Sequence, residues 1–362
     1  MSAPRFQELA IKRVSPEAAG AVAITFAIPE AERERFAFEP GQFLTLRATI
    51  DGQDVRRNYS ISSPRSRLAR EGELEIGIRP VEGGLFSNWA TRAIKAGDTL
   101  QVMPPDGRFV VKKKRAIHRV GFAAGSGITP ILSIAASTLE EQPDSKFTLI
   151  YGNRRQASTM FREEIEDLKN RYLTRLALHH VFSREPQDAP IAEGRITRDK
   201  LAAFLGPLID PRDIDEVFVC GPHEMNDAAE AALLAAGVAA ERIHIERFGF
   251  GAPLPGAAPL HPVLAGDAAS ARLSVIRDGQ QREVDFIEGD ASLLDAAARA
   301  GLDVPYSCKS GVCSTCRAKL LEGKVRMDRN FALDKRELDA GFILSCQAHP
   351  LTERVTISFD ER

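Results

Sequence analysis

Four of the five cysteines could together hold a metal centre. Cys308, Cys313 and Cys316 form a C-x4-C-x2-C pattern, and Cys346 follows in the segment LSCQAH. This spacing is typical of [2Fe-2S] clusters, which need four thiolates and take three of them from one loop. A structural zinc site is the alternative, but four-cysteine zinc sites usually pair two C-x2-C units and this chain has one. The pattern therefore favours an iron–sulfur cluster.

Small residues lie between these cysteines, namely Ser310, Gly311, Ser314 and Thr315. They allow backbone amides to approach the sulfurs, where N–H donors stabilise the reduced cluster. From about residue 270 to the end, the sequence resembles a plant-type ferredoxin, which implies an α+β β-grasp domain. Soluble plant ferredoxins are strongly acidic, whereas residues 271–362 hold nearly equal numbers of acids and bases. Our hypothesis is that a tethered domain has less need of charge to find its reductase.

A second group of residues points to a flavin. Arg57-Asn58-Tyr59-Ser60 matches the R-x-Y-S signature of the ferredoxin-NADP reductase family. The resemblance implies that Arg57 binds the FAD pyrophosphate, that Tyr59 stacks on the flavin, and that Ser60 lies near flavin N5, with Asn58 in the same site. Taken alone, such a tetrapeptide is usually an ordinary piece of strand.

A glycine-led segment further along supports the flavin. In the resembling family a G-x-x-S segment holds the FAD pyrophosphate, here Gly84, Leu85, Phe86 and Ser87. Glycines before a helix leave its first amides open to a phosphate. The alternative is a plain turn closed by Ser87.

Two motifs after apolar strands predict a nicotinamide site. Gly125-Ser126-Gly127-Ile128-Thr129-Pro130 follows the strand VGFAA, and Cys220-Gly221-Pro222 follows VFV. In the resembling reductases the first is the nucleotide loop (Gly125, Gly127, Thr129, Pro130), and the second places a sulfur beside the nicotinamide during hydride transfer. Open α/β sheets bind ligands at the carboxyl ends of their strands, which agrees with both positions. Cys220 could instead be a small buried hydrophobic residue.

The choice of nicotinamide cofactor depends on charges at neighbouring strand ends. Ser183 and Arg184 follow LALHHVF, and Arg154 and Arg155 follow the preceding strand. They resemble the NADP-preferring branch, since cationic and hydroxyl groups suit a 2′-phosphate. Solvated loop charges are the alternative, and the acid Glu185 leaves NADH possible. In the segment Glu246-Arg247-Phe248, the resemblance implies that an aromatic or acidic residue lies close to the flavin; the alternative is that Phe248 closes the core.

The remaining features exclude other classes. The 48 basic and 50 acidic residues give a net charge of -2, which offers no footprint for nucleic acid or an anionic membrane. No apolar run is long enough to span a membrane and no signal peptide is evident, so we expect a soluble, cytoplasmic protein. His179 and His180 are adjacent on a strand and face opposite sides, so they cannot share a metal; His349 and Trp89 are read as structural.

Together these patterns predict a multidomain chain. We expect an antiparallel β-barrel FAD domain over residues 1–112, a doubly wound α/β NAD(P) domain over 113–248, a Gly/Pro/Ala-rich linker over 249–270, and the ferredoxin over 271–362. The chain resembles three-part iron–sulfur flavoprotein reductases, most of all the reductase components of bacterial phenylacetyl-CoA epoxidases.

This resemblance implies a reaction and a partner. A hydride passes from NADPH to FAD, aligned by the catalytic set Tyr59, Ser60, Thr129 and Cys220, and single electrons then pass through the cluster to an oxygenase, here a di-iron enzyme. NADH-dependent reductases of ring- or steroid-hydroxylating oxygenases share the layout and are the main alternative. A zinc-stabilised interaction protein is the non-enzyme alternative.

Overall fold

A computed structural model describes residues 6–112, 117–248, 261–262 and 264–361. Most of the predicted linker, at 249–260 and 263, lies outside the described residues. Contacts divide the chain into two compact units. One contains Gln7–Gln53 and Tyr59–Phe248, and the other contains Met1–Phe6, Asp54–Asn58 and Gly249–Arg362.

The first part of the chain forms the predicted antiparallel barrel. Its strands follow one another in the sheet order β4-β3-β6-β1-β2-β5. An isolated bridge between Ile61, just after β4, and Ile76 of β5 brings the two ends of the sheet together. The elements are β1 (Gln7–Pro16), β2 (Val22–Ala27), β3 (Phe43–Ile50), β4 (Gln53–Ser60), α1 (Arg65–Glu71), β5 (Glu73–Ile78), α2 (Leu85–Ala93) and β6 (Thr99–Val102).

The second part is the predicted doubly wound domain. All five strands are parallel and follow the order β11-β10-β7-β8-β9. The chain leaves β7 for β8 on one side and later adds β10 on the other, so the topological switch point lies between β7 and β10. The elements are β7 (His118–Ala124), α3 (Ile128–Glu141), β8 (Lys146–Asn153), α4 (Arg162–Arg171), β9 (Leu176–Phe182), α5 (Arg198–Phe204), β10 (Glu216–Cys220), α6 (His223–Ala235) and β11 (Ile243–Glu246).

Alternate residues of β8 enter the two cores that cover this sheet. Leu149 and Tyr151 pack with α3 on one face, and Ile150 packs with α5 and α6 on the other. Because both faces are covered, the strands are apolar almost throughout, as the sequence predicted.

A buried ion pair fixes the amino ends of the central strands. Arg119 of β7 and Glu216 of β10 are 0% and 1% exposed, with Nε 3.0 Å from Oε2. Gln142 also accepts from Arg119 at 2.8 Å. Such a pair holds its geometry because separating it would leave an uncompensated buried charge. By fixing β7 against β10 at their amino ends, the pair also fixes how their carboxyl ends, where the site lies, are positioned.

The C-terminal part has the mixed strand order of a β-grasp domain. β12 pairs in parallel with the last strand, and the main sheet runs β13-β12-β18-β14-β16, with β15 and β17 forming a separate pair. Asp278 and Gly279 form the predicted hairpin turn with positive φ angles, and Ser292 caps α7. The elements are β12 (Ala271–Arg277), β13 (Gln280–Phe286), α7 (Leu293–Arg299), β14 (Arg317–Glu322), β15 (Val325–Met327), α8 (Lys335–Asp339), β16 (Phe342–Leu344), β17 (Ala348–Pro350) and β18 (Arg354–Ser358).

Candidate active site and cluster loop

The predicted nucleotide loop lies at the carboxyl end of β7. Gly125–Gly127 form one 3-10 turn that leads directly into α3. The Tyr151 hydroxyl donates to the Gly125 carbonyl at 2.9 Å, and Thr129 Oγ1 donates to the Ser126 carbonyl at 3.1 Å. Burial raises the pKa of Tyr151, so its hydroxyl remains a donor at all ordinary pH values. Pro130 lies within α3, as expected.

The loop packs directly on the backbone of the C-G-P motif. A Cβ placed on Gly127 would lie 2.1 Å from the Cys220 carbonyl oxygen, so only glycine fits there. Cys220 ends β10 and is 1% exposed, with Gly221 and Pro222 leading into α6. The two motifs predicted to bind NADP therefore flank the switch point of the sheet.

Glu246, which the sequence analysis named together with Phe248, joins this site. It ends β11 and is the register neighbour of Cys220. Its Oε2 lies 3.5 Å from the hydroxyl of Ser60, and Asn226 Nδ2 donates to its carbonyl oxygen at 3.0 Å. Burial raises the pKa of Glu246 to about 8 while the Ser60 contact opposes the rise. Burial, and then the Glu246 charge, raise the pKa of the Cys220 thiol. A neutral acid, a hydroxyl and a thiol thus meet beside the nucleotide loop.

This grouping predicts a pH effect on hydride transfer. Because the pKa of Glu246 is raised, the carboxyl is protonated at pH 7 and becomes anionic above about 8. An anion beside Ser60 would oppose the negative charge that the flavin gains with the hydride. NADPH oxidation with ferricyanide should therefore slow as the pH rises through about 8. Glu246→Gln should flatten that profile, and Glu241→Gln, at an exposed position before β11, should keep it. A step at pH 8 that persists in Glu246→Gln would assign the titration to another group.

The two predicted flavin segments meet through aromatic rings. Tyr59, near the end of β4, lies 5.7 Å from Phe86 of α2 between ring centroids. Phe86 in turn packs edge-to-face on Trp89 at 5.4 Å. Phe86 is buried while Tyr59 is partly exposed, so the tyrosine ring is the one that can present a face to a cofactor.

The G-x-x-S segment forms a tight turn before α2. Gly84 occupies the N-cap position, and a Cβ there would lie 2.4 Å from the Val81 side chain and 2.6 Å from Ser87 Oγ. Ser87 Oγ accepts from the Val81 amide at 3.2 Å, so its hydroxyl closes the turn, as the plain-turn alternative expected. The first helical residues, starting with Leu85, have the amides that every helix leaves without an intrahelical partner. These amides fit a phosphate better than the serine hydroxyl does.

The segment Asp54–Asn58 belongs by its contacts to the C-terminal unit. Asn58 Nδ2 donates to Thr315 Oγ1 at 3.3 Å, within the cluster loop. Arg56, also missed by the sequence analysis, donates to Asp303 at 2.7 Å and lies 4.3 Å from the ring centre of Tyr306. The only feature of the sequence that could have pointed to Arg56 is its place beside Arg57 in VRRNYS. A strand segment predicted to bind flavin therefore contacts the loop predicted to bind the cluster.

Arg57 is exposed on that segment. Its Nη1 donates to the carbonyl of Arg56 at 2.7 Å, and the guanidinium has further N–H donors besides this one. Phe248 packs partly buried against the core that contains Cys220. The packing of Phe248 matches the core-closing alternative, and its role toward a flavin stays a prediction.

The basic residues predicted for NADP come together at the ends of β8 and β9. The Ser183 amide donates to the Asn153 carbonyl at 2.9 Å, and the Arg184 amide donates to the Arg154 carbonyl at 2.9 Å. Glu185 accepts from the Gln156 amide at 2.7 Å. The carboxylate of Glu185 is thus engaged by its own loop, while the Arg154 and Arg184 side chains are exposed.

The four remaining cysteines gather in one place. The side chain of Cys308 lies beside that of Cys313, and the side chain of Cys316 lies beside that of Cys346. The Ser310 amide points at Cys308 Sγ at 3.4 Å, as expected for a loop that donates to sulfur. Positive φ angles at Lys309, Gly311 and Ser314 give the loop its tight course. Four gathered cysteines with a backbone amide directed at one of the sulfurs fit a [2Fe-2S] cluster.

The adjacent histidines face different neighbours, as predicted. His179 lies 5.4 Å from Phe204, and His180 stacks on Phe182 at 5.7 Å. Among the described residues, no helix is long and apolar enough to cross a membrane.

Comparison with known proteins identifies three domains. Residues 10–111 match the oxidoreductase FAD-binding domain, residues 122–231 the oxidoreductase NAD-binding domain, and residues 275–351 the 2Fe-2S iron-sulfur cluster binding domain. The chain is 45% identical over 359 residues to one subunit of the 1,2-phenylacetyl-CoA epoxidase of Escherichia coli (strain K12), covering 99% of this chain and 98% of that protein. The chain belongs to the iron–sulfur flavoprotein reductases of oxygenase systems.

Other members of this reductase family agree with that assignment. The ferredoxin reductase component of 3-ketosteroid-9-alpha-monooxygenase from Rhodococcus rhodochrous is 37% identical, with 97% of this chain and 96% of that protein covered. Phthalate dioxygenase reductase shares the fold at 22% identity and a TM-score of 0.59, covering 98% of both chains. The predicted fold class, the reductase class and the three cofactor types, FAD, a nicotinamide nucleotide and [2Fe-2S], are confirmed.

Proposed function

We propose that this reductase supplies electrons to a phenylacetyl-CoA ring epoxidase, a di-iron oxygenase, and takes them from NADPH. The observation that carries the proposal is the 45% identity to a phenylacetyl-CoA epoxidase component over nearly the full length of both proteins. The steroid monooxygenase reductase at 37% identity supports the main alternative, another hydroxylating oxygenase.

The residues divide this work between them. FAD and the nicotinamide supply the hydride chemistry, and the [2Fe-2S] cluster supplies a one-electron carrier. We assign Arg57 and the first amides of α2 to the FAD pyrophosphate and the ring of Tyr59 to the flavin face. Ser60, Thr129, Cys220 and Glu246 position the reacting ring atoms and exclude water.

The C-terminal unit completes the route. Cys308, Cys313, Cys316 and Cys346 hold the cluster, and Asn58 donates to Thr315 of the cluster loop within the same unit. We keep the domain limits at 1–112, 113–248 and 271–362. We also propose a cytoplasmic location, because none of the five cysteines forms a disulfide, as is usual in a reducing compartment.

A panel of purified oxygenases tests the acceptor. With NADPH and this reductase, a phenylacetyl-CoA epoxidase should turn over at least tenfold faster than a steroid 9α-hydroxylase or an aromatic-ring dioxygenase. Cytochrome c, which accepts electrons from many reductases, serves as the control for active protein. Equal or faster turnover of the steroid enzyme would replace the proposed acceptor and leave the reductase class intact.

Cofactor preference gives a second test. Arg184→Ala removes a cation from the proposed 2′-phosphate site, and a charge-assisted hydrogen bond contributes roughly 1.5–3 kcal/mol. Since 1.36 kcal/mol is tenfold, kcat/KM for NADPH should fall about ten- to a hundredfold, while kcat/KM for NADH stays the same. Arg195→Ala, an exposed arginine before α5, is the matched control.

The opposite results are equally clear. A wild type that prefers NADH, or an Arg184→Ala variant that loses both activities equally, would contradict a phosphate-reading role. Glu185 would then be the residue to test as a ribose acceptor.

A further inference from the structure

Three potential metal ligands meet in the C-terminal unit, apart from the cysteines. His261 Nδ1 and His349 Nε2 each lie 2.8 Å from Oδ2 of Asp328. All three atoms lie within 4.8 Å of one another. Asp328 directly follows β15, His349 lies in β17, which pairs with β15, and His261 precedes the domain. A short strand pair and a chain segment before the domain therefore converge on one point.

The group formed by His261, Asp328 and His349 is largely buried, and with its neighbours it carries excess negative charge. The side chains of His261, Asp328 and His349 are 14%, 5% and 5% exposed. Arg326 pairs with the other oxygen of Asp328 and with both oxygens of Asp267. Two carboxylates thus share one guanidinium, so one negative charge remains when both imidazoles are neutral. A buried charge is costly unless a cation or further hydrogen bonds offset it.

The two oxygens of Asp328 have different partners. Arg326 on Oδ1 leaves Oδ2 facing the imidazoles, the kind of outer contact that orients a ligating carboxylate.

We propose that His261, Asp328 and His349 bind a divalent cation, with zinc as the best match. Two imidazole nitrogens and one carboxylate oxygen suit zinc, which takes ligands at about 2.0–2.2 Å in a tetrahedral arrangement. Ligand atoms in such a site lie about 3.3 Å apart. The spacings of 2.8 Å and at most 4.8 Å lie on either side of that value, so small side-chain movements form the site.

The site has a structural consequence. Water would take the fourth position, as three protein ligands leave it open. The metal would fasten the chain at His261 to the β15–β17 pair of the ferredoxin domain. Metal binding therefore restrains the backbone at His261.

Titration of the intact holoenzyme with zinc tests the proposal. After EDTA treatment and desalting, isothermal calorimetry should show one zinc site per chain with micromolar or tighter Kd. His261→Ala and Asp328→Asn should each weaken it at least tenfold. His223→Ala, a histidine at the start of α6, is the control and should bind as the wild type does. His261→Ala lies outside the strands of the domain, so it should leave the visible spectrum of the iron–sulfur protein unchanged.

Three outcomes would overturn the proposal. The first is no stoichiometric binding by the wild type, which would leave a hydrogen-bonded His–Asp–His group only. The second is undiminished binding in both His261→Ala and Asp328→Asn. The third is binding lost equally in His223→Ala, which would place the zinc elsewhere.

Discussion

Cys313→Ser is expected to remove the iron–sulfur cluster and stop electron exit while leaving the hydride step intact. The cluster needs four thiolates, and a serine hydroxyl ionises too weakly to replace one of them. Cytochrome c reduction should fall at least a hundredfold, whereas NADPH oxidation with ferricyanide should stay within about twofold of the wild type. Iron analysis and the electron paramagnetic resonance signal of the reduced protein measure the cluster directly.

Cys220→Ala is the matched comparison for that variant. Cys220 lies beside the nucleotide loop and not among the four gathered thiols, so its loss should keep the iron and slow the hydride step. Cys313→Ser should therefore fail only with cytochrome c, whereas Cys220→Ala should be slow in both assays, because the hydride step precedes electron exit. A Cys313→Ser protein that retains two irons, or a Cys220→Ala protein that loses them, would show that the cysteines are wrongly assigned.

The double variant Arg57→Ala/Tyr59→Ala should lose most of its FAD. A charge-assisted contact to a pyrophosphate contributes roughly 1.5–3 kcal/mol, and stacking of a flat ring on an aromatic side chain about 1–3 kcal/mol. If the two losses add, FAD affinity falls by about two to four powers of ten, since 1.4 kcal/mol is tenfold. Flavin content after desalting and titration of the apoprotein with FAD measure the change.

Conservative changes separate stacking from folding. Tyr59→Phe keeps the ring and its packing on Phe86, so it should retain FAD nearly as well as the wild type. Arg70→Ala, at an exposed position in α1, is the control for the lost charge. Wild-type flavin occupancy in the double variant would contradict the flavin assignment of the R-x-Y-S segment.

Much of the fold follows from the sequence because its signals are local. Buried apolar strands alternating with helices predicted the parallel sheet, and Asp278-Gly279 predicted the hairpin turn that the structure contains. The cysteine spacing predicted the iron–sulfur ligands for the same reason, since three of the four lie in one loop. Ser87 shows the limit of this reasoning, because a hydroxyl can face either the ligand or its own turn.

The site contacts that the sequence did not predict are those between distant segments of the chain. The resemblance placed the segment of Glu246 near the flavin, but the contact of Glu246 with Ser60 and its register with Cys220 come from the order of the strands. Arg56 gains its partners Asp303 and Tyr306 through folding, and so does the group around Asp328. Such residues look like ordinary charges until the chain is folded.

Anaerobic reduction with NADPH tests the central claim that one chain turns a hydride into single electrons. One equivalent of NADPH added to the holoenzyme should produce the electron paramagnetic resonance signal of a reduced [2Fe-2S] cluster. The same addition to flavin-depleted protein should produce none, and returning FAD should restore the signal. A cluster signal that appears without flavin, or a holoenzyme whose flavin is bleached by NADPH while its cluster stays oxidised, would contradict the account.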